Sequence, residues 1–154
     1  MQNLAAIVAV YNEIDGNFER NREVAMTAGD RTTAMRIEEK QRLNDQAYFI
    51  LCWGQLETAI DDKCRQAIRS GKQNSNWTIS RAWALYNPDD KRLSGLSFED
   101  RVGLVLDRDQ PFWKDTIRYY NLRNQIAHGQ LQADRIDVPK VVAEFYVIQG
   151  ALHG

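Results

Sequence analysis

Apolar residues recur at every third or fourth position through most of this chain, and no segment alternates convincingly between apolar and polar residues. This spacing predicts amphipathic helices and no strand. The first helix is expected from about Asn3 to Ala28, after which Gly29-Asp30 supplies a stop and the next N-cap. The second, from about Thr32 to Ser70, carries the longest apolar stripe, so we expect it to be the central core helix. Its expected core positions are Leu43, Ala47, Ile50, Trp53, Leu56, Ile60, Cys64, Ala67 and Ile68.

The second half of the chain predicts shorter helices separated by polar turns. One is expected around Thr78 to Leu85, with Trp83 in the core, and another from Ser97, as N-cap, to Leu106. A longer helix is expected from Pro111 to Gly129, because proline suits a first helical turn and glycine the left-handed position after a helix. A last helix follows. The pattern predicts an all-α, up-and-down bundle of four to five helices with short connecting helices, in a single domain over residues 1–154.

The composition is that of an ordinary globular protein, since 44% of residues are hydrophobic and 27% are charged. No apolar run is long enough to span a bilayer, and the first residues lack the basic region of a signal peptide. Cys52 and Cys64 lie in one predicted helix, roughly 18 Å apart along its axis, which is too far for a disulfide. They also lack the ligand spacing of a zinc site. We therefore expect a cytoplasmic protein without a metal or other cofactor and without membrane contact.

Basic residues are concentrated in the middle of the chain, although the whole chain has a net charge of −1. Residues 63–92 carry 7 basic and 2 acidic side chains, whereas residues 1–62 carry 6 basic and 11 acidic ones. The middle segment is therefore best suited to bind a polyanion, and Arg65, Arg69 and Lys72 are its candidate substrate-binding residues. The same cations would also complement the negative end of a long helix, an alternative that the charge pattern leaves open.

The most specific chemistry lies in the segment LRNQIAHG, at the end of the helix predicted from Pro111. Arg123 offers a fork of donors matched to phosphate oxygens, and His128 can accept or donate a proton near neutral pH. Asn124 lies one turn before His128 on the same face and could orient the imidazole or a phosphate. Arg123 lies about 140° round the helix from His128, a gap that its long side chain can largely close. RNA carries its own nucleophile, so a base, an acid and a cation can cleave it without a metal.

This arrangement resembles the R-polar-x-x-x-H motif of HEPN domains, small helical domains many of which are metal-independent endoribonucleases. The apolar segment 48–57, YFILCWGQLE, also resembles the helix that often precedes the motif helix in that family. The resemblance covers roughly residues 40–150 in organisation. It implies a HEPN-like bundle in which Arg123, Asn124 and His128 are the catalytic residues.

Two acidic side chains and one aromatic side chain are candidates for supporting this implied site. Glu57, or Asp61 one turn on, could hold the arginine or the histidine of the motif. Tyr119 lies one turn before the arginine and shares its helix face.

The resemblance also implies a reaction and partners. The reaction is the cleavage of single-stranded RNA to a 2′,3′-cyclic phosphate, and similar proteins act as toxins in toxin–antitoxin pairs or in anti-phage defence, with a neutralising protein partner. The chain has only two histidines, and His153 is expected to be frayed. If histidine acts as both acid and base, a two-fold homodimer must supply the second one. HEPN domains are known to pair in this way, with a composite site between protomers.

Each motif residue also has a purely structural interpretation. The His128 ring could cap the helix by bonding its free carbonyls. Arg123 could form a surface ion pair with Asp115, Asp134 or Glu57. Four nearby aromatic residues could stack on bases but are more often core or interface at this spacing: Phe112, Trp113, Tyr119 and Tyr120. The main alternative function is a non-catalytic HEPN-like module that binds a nucleotide, RNA or a protein.

Overall fold

The computed structural model of this chain describes residues 1–90, 93 and 95–153 and is all-α. Its helices are α1 (Leu4–Thr27), α2 (Arg31–Lys72), α3 (Trp77–Trp83), α4 (Phe98–Val105), α5 (Pro111–Ala127) and α6 (Val138–Ala151). None of these helices is both long enough and apolar enough to cross a membrane. No strand occurs in the described ranges. The predicted all-α class and the predicted helices are therefore confirmed, with ends shifted by a few residues.

The described residues form two compact units, each built from two separate stretches of chain. Unit 1 comprises residues 1–55 and 121–145, and unit 2 comprises residues 56–120 and 146–154. Unit 1 thus contains α1, the first part of α2, the end of α5 and the first part of α6. Unit 2 contains the rest of α2, α3, α4 and most of α5. The expectation of one domain over the whole chain stays a prediction.

Side chains at the starts of α2, α3, α4 and α6 satisfy backbone N–H groups that a helix leaves without partners. Before α6, the Asp137 carboxylate accepts from the Lys140 N–H at 3.0 Å. The Asp30 carboxylate accepts from the backbone N–H and the hydroxyl of Thr33, at 3.0 and 2.7 Å. Ser97 and Asp100 form a reciprocal capping box at the start of α4. Asn76 caps α3 with its side-chain oxygen. The caps that the sequence predicted for α2 and α4 are therefore confirmed.

The buried face of α2 in unit 2 is apolar, as predicted. Its fully buried residues are Leu56, Ile60, Cys64 and Ile68. Cys64 and Cys52, which lies in unit 1, are both free thiols. Burial raises the pKa of Cys64 to about 12 and that of Cys52 to about 11. These buried thiols behave as small apolar core residues.

The apolar stripe that the sequence predicts along α2 is only partly correct in unit 1. Trp53 is buried as predicted, but Leu43 is 39% exposed, and Ala47 is exposed as well. The positions that α2 buries in this unit are Ala34, Gln41, Asp45, Gln46, Phe49, Cys52 and Trp53. Among these, three polar side chains take core positions because each has specific hydrogen-bond partners, which hydrophobic periodicity does not detect.

An ionic network occupies this polar part of unit 1. The Asp45 carboxylate is fully buried and accepts from the Tyr11 hydroxyl at 2.9 Å and from Arg135 Nε at 2.7 Å. Arg135 also donates to Asp15 at 2.6 Å, and Gln41 donates to the same Asp15 oxygen at 2.8 Å. Burial, together with the hydrogen bond to Asp45, raises the pKa of Tyr11. Every charge in the network therefore has a partner of opposite sign or a neutral donor.

A second polar contact of α2 holds the segment that follows α5. The Gln46 side chain accepts from the backbone N–H of Gln132 at 3.0 Å and donates to its carbonyl at 3.1 Å. The Arg42 guanidinium donates to the same carbonyl. The chain that leaves the end of α5 is therefore fixed to α2 through both backbone groups of one residue.

Candidate functional site

The predicted motif lies at the carboxyl end of α5, and the backbone there is firmly defined. Gly129 adopts a left-handed conformation, with φ of 81°. Its N–H donates to the Ile126 carbonyl at 2.9 Å, and the Gln130 N–H donates to the Gln125 carbonyl at 2.9 Å. This pair of bonds is the Schellman arrangement that ends many helices at a glycine. His128 is therefore the last residue before the chain turns away, as the sequence predicted.

The His128 imidazole is exposed and has no hydrogen-bond or ion-pair partner in the described part of the chain. Its backbone N–H donates to the Asn124 carbonyl at 3.0 Å, and the next two N–H groups bond the carbonyls before it. The alternative in which the ring caps the helix is therefore wrong, because the ring donates to no carbonyl among the described residues. The ring remains available to a ligand.

Arg123 and Asn124 form a pair on the last turns of α5. Arg123 Nη1 donates to Asn124 Oδ1 at 3.0 Å, and both side chains are half-buried. No carboxylate among the described residues of unit 1 pairs with this guanidinium. The alternative partners Asp115 and Glu57 pair with other arginines of unit 2.

Arg135 and Arg123 of unit 1 therefore differ in what their guanidinium groups bind. Arg135 bonds two carboxylates. Its hydrogen bonds to them and their negative charges raise the pKa of its guanidinium, and the negative charges compensate its positive charge. Arg123 bonds only a neutral amide among the described residues of this unit. An amide oxygen orients a guanidinium without neutralising it, so Arg123 keeps its full charge for an anion.

The three predicted supporting residues lie in unit 2, where they have other contacts. The Arg101 guanidinium bonds Asp61 and lies 3.9 Å from a Glu57 oxygen. Tyr119 is only 3% exposed, with the Arg118 guanidinium 4.2 Å from its ring centroid. This burial agrees with the core interpretation of Tyr119 and leaves no free face for a base. The expectation that Glu57 or Asp61 holds a motif residue stays a prediction.

The predicted substrate-binding cations also lie in unit 2, and their surroundings differ. Arg65 Nη1 donates to the carbonyls of Pro88 and Asp90, at 2.9 and 2.7 Å, so it fastens that turn to α2. Arg69 bonds Asp89 at 2.8 Å in an exposed ion pair. Lys72 is the last residue of α2. Two further cations of the basic segment, Lys91 and Arg92, lie outside the described residues.

The other histidine is exposed, but its backbone is held. The His153 N–H donates to the Val105 carbonyl at 2.9 Å. The expectation that His153 is frayed is therefore wrong, because this bond ties the chain after α6 to the end of α4.

A polar cleft in unit 1 was not predicted from the sequence. It has a volume of about 550 Å³ and is lined in part by Tyr11, Asp15, Glu19, Arg135 and Asp137. Two hydrogen bonds lower the pKa of Glu19; the one from Arg22 has the larger effect and the one from Gln41 the smaller. Because Arg135 and Asp15, which both line this cleft, bond each other, we interpret it as the surface of the structural network.

In the described ranges, no three His, Cys, Asp or Glu side chains converge in a way that could hold a metal ion. Comparison of the chain with protein-family models, with curated proteins and with solved structures found no match. The functional argument therefore depends on the end of α5 and its chemistry.

Proposed function

We propose that this chain is a metal-independent endoribonuclease of the HEPN type that cleaves single-stranded RNA. The observation that carries the proposal is the end of α5. There, an exposed imidazole without a partner in the described residues shares two helical turns with an arginine that bonds only an amide in its own unit. A structural arginine and histidine would be expected to have such partners, as Arg135 has. Arg123, Asn124 and His128 are the proposed catalytic residues.

In the proposed reaction, a ribose 2′-hydroxyl attacks the adjacent phosphorus while a histidine takes its proton. The bond between phosphorus and the 5′ oxygen breaks, and a second histidine gives that oxygen a proton. The products are a 2′,3′-cyclic phosphate and a 5′-hydroxyl, so atoms and protons balance without a metal or a redox partner. The Arg123 guanidinium stabilises the charge on the non-bridging oxygens, and Asn124 holds it in position.

The second histidine is proposed to come from another copy of the chain. A two-fold symmetric homodimer that brings two α5 ends together would supply a base from one protomer and an acid from the other. The HEPN resemblance supports this arrangement and a cytoplasmic role in toxin–antitoxin or defence systems, with a neutralising protein partner. The two free thiols are consistent with a reducing compartment.

The test is cleavage of a labelled single-stranded RNA in excess EDTA by the wild type, His128→Ala, Arg123→Ala and His153→Ala. The first two variants should lose about 10²- to 10⁴-fold in rate, the usual contribution of general acid–base and charge-stabilising groups. His153→Ala is the matched control, because this histidine is also exposed but lies outside the motif; it should cleave like the wild type. Mass spectrometry of the products should find cyclic phosphate ends.

Equal cleavage by the wild type and His128→Ala would contradict the proposal, and so would an absolute requirement for a divalent metal. Thermal unfolding of each variant controls for folding. Light scattering measures whether the protein is a dimer.

A second function, anion binding without turnover, is favoured by the same Arg123–Asn124 pair, because an oriented and un-neutralised guanidinium is sufficient to hold a phosphate. It predicts that Arg123→Ala weakens calorimetric binding of nucleotides or RNA, while the wild type produces no cyclic phosphate ends.

A further inference from the structure

The two tryptophans of α3 have opposite surroundings. Trp83 packs so closely against α2 that a Cβ atom on Gly71 would overlap its indole ring. Trp77, six residues earlier, is 69% exposed. Six residues place the two side chains on different sides of a helix. One tryptophan therefore anchors α3, and the other is turned towards solvent.

Other contacts fix the position of α3 against the end of α2. The Ser80 hydroxyl donates to the Lys72 carbonyl at 2.7 Å, and the Asn76 side chain caps the first turn. Trp83 also packs edge-on against Tyr86, with ring centroids 6.3 Å apart. The exposed indole of Trp77 is thus held on an anchored element beside the last turn of α2.

A cationic side chain contacts Trp77, and α3 is hydrogen-bonded to the basic last turn of α2. The Arg81 guanidinium lies 5.0 Å from the Trp77 ring centroid, within the range of a cation–π contact. Arg69 and Lys72 occupy the last turn of α2. Residues 63–90 contain five basic side chains but only two acidic ones, so a positive excess remains after Asp89 and Arg69 compensate each other.

We propose that Trp77, Arg81 and Lys72 form a binding platform for single-stranded nucleic acid, in which a base stacks on the indole and the cations contact the flanking phosphates. An exposed aromatic ring beside positive charges is the usual composition of such platforms. The excess of positive charge favours a polyanion over an apolar protein surface. This Trp77 platform rests on the proposed function, since it supplies a docking site for the RNA substrate.

The test measures binding of a fluorescein-labelled 2′-O-methyl oligouridylate, which lacks the 2′-hydroxyl that cleavage needs. Trp77→Ala should weaken binding about tenfold, the scale of one base–aromatic stack. Trp77→Phe should keep most of the affinity. The matched control is Leu85→Ala, which removes an exposed apolar side chain without a ring face; it should bind like the wild type. Unfolding temperatures should agree within about 2 °C, because exposed side chains contribute little to stability.

A second probe separates the contribution of base stacking to the affinity from that of the phosphate contacts. An abasic chain of the same length should bind more weakly than the oligouridylate and should not distinguish Trp77→Ala from the wild type. Arg81→Ala and Lys72→Ala should each lower the salt dependence of binding by about one counterion.

The platform is overturned if Trp77→Ala binds the oligouridylate as tightly as the wild type, or if the abasic chain binds as tightly as the oligouridylate. It is also overturned if Trp77→Ala changes only self-association or the binding of a protein partner. Failure of the ribonuclease proposal would look different: His128→Ala would cleave like the wild type, whereas the effect of Trp77→Ala on binding would persist.

Discussion

In residues 31–55, helix α2 buries the polar side chains Gln41, Asp45 and Gln46, whereas in residues 56–72 it buries only apolar ones. Apolar burial is non-directional and tolerates any neighbour of about the right shape. Polar burial tolerates only partners that satisfy every donor and acceptor. The part of α2 in unit 1 therefore adds specific polar contacts to the apolar burial that both parts share.

The polar part has a consequence for the candidate site. Asp45 holds Arg135, and Gln46 holds both backbone groups of Gln132. These partners belong to the segment that leaves α5 directly after the motif. We infer that the buried polar face specifies where this segment runs and therefore how the end of α5 is presented.

The largest expected effect tests the apolar part of α2. Leu56→Ala removes a fully buried side chain and should lower the free energy of unfolding by about 2–5 kcal/mol. Its matched partner is Leu51→Ala in the same helix, where the side chain is 54% exposed. That change should stay within about 0.5 kcal/mol. Chemical denaturation measures both. Similar losses for the two variants would mean that the buried face of α2 is not the one described.

The next effect tests the polar part. Asp45→Asn leaves the Arg135 cation without its buried counter-charge and should cost about 2–3 kcal/mol, less than a fully buried pair because Arg135 reaches solvent. Tyr11→Phe removes one hydrogen bond to the same carboxylate and should cost about 1 kcal/mol. Urea unfolding of the two single variants and the double variant measures their coupling. Fully additive losses would contradict a shared network.

The apolar and polar parts of α2 also differ in how far their buried residues could be predicted from the sequence. The helix bounds followed from 3.6-residue spacing, from the Asp30 and Ser97 caps and from Gly129, all of which are local signals. The apolar positions of α2 in unit 2 followed from the same spacing. Leu43 was misplaced because its face of α2 is apolar but exposed.

The polar core could not be predicted, because its pairing is non-local. Asp45 and Arg135 are 90 residues apart, and no spacing rule connects them. In the candidate site, Arg123, Asn124 and His128 were placed on one helix end because they are close in sequence. The contacts of Asp61 with Arg101 depend on tertiary packing, which the sequence pattern does not contain.

Substitution of two glycines in α2 should have smaller effects on stability, and these should be opposite in sign. Gly71→Ala should destabilise the protein by about 1–3 kcal/mol, because the new methyl group meets the Trp83 ring rather than the tip of a flexible side chain. Gly54→Ala meets no atom within 4 Å and should stabilise the helix by up to about 1 kcal/mol. Thermal unfolding measures both changes. A stable Gly71→Ala variant with unchanged tryptophan fluorescence would contradict the anchoring of α3.

The smallest effect concerns two of the carboxylates that cap helices, Asp30 in unit 1 and Asp100 in unit 2. Hydrogen bonds from the Thr33 side chain and backbone lower the pKa of Asp30, and hydrogen bonds from the Ser97 side chain and backbone lower that of Asp100. A carboxyl whose pKa is lower in the folded state stabilises the protein above its unfolded pKa, near 4. That stability is lost as the pH falls through the folded value. Urea unfolding between about pH 5 and pH 2 should therefore have a shallower pH dependence in Ser97→Ala, because Asp100 then loses the hydroxyl hydrogen bond, the larger of the two that lower its pKa. Thr33→Val should act similarly on Asp30.

If the pH dependence changes equally in Ser97→Ala and Thr33→Val, local capping contributes alike to both units. The difference between the two units then lies in the buried faces of α2 alone. An unchanged pH dependence in both variants would contradict the capping geometry.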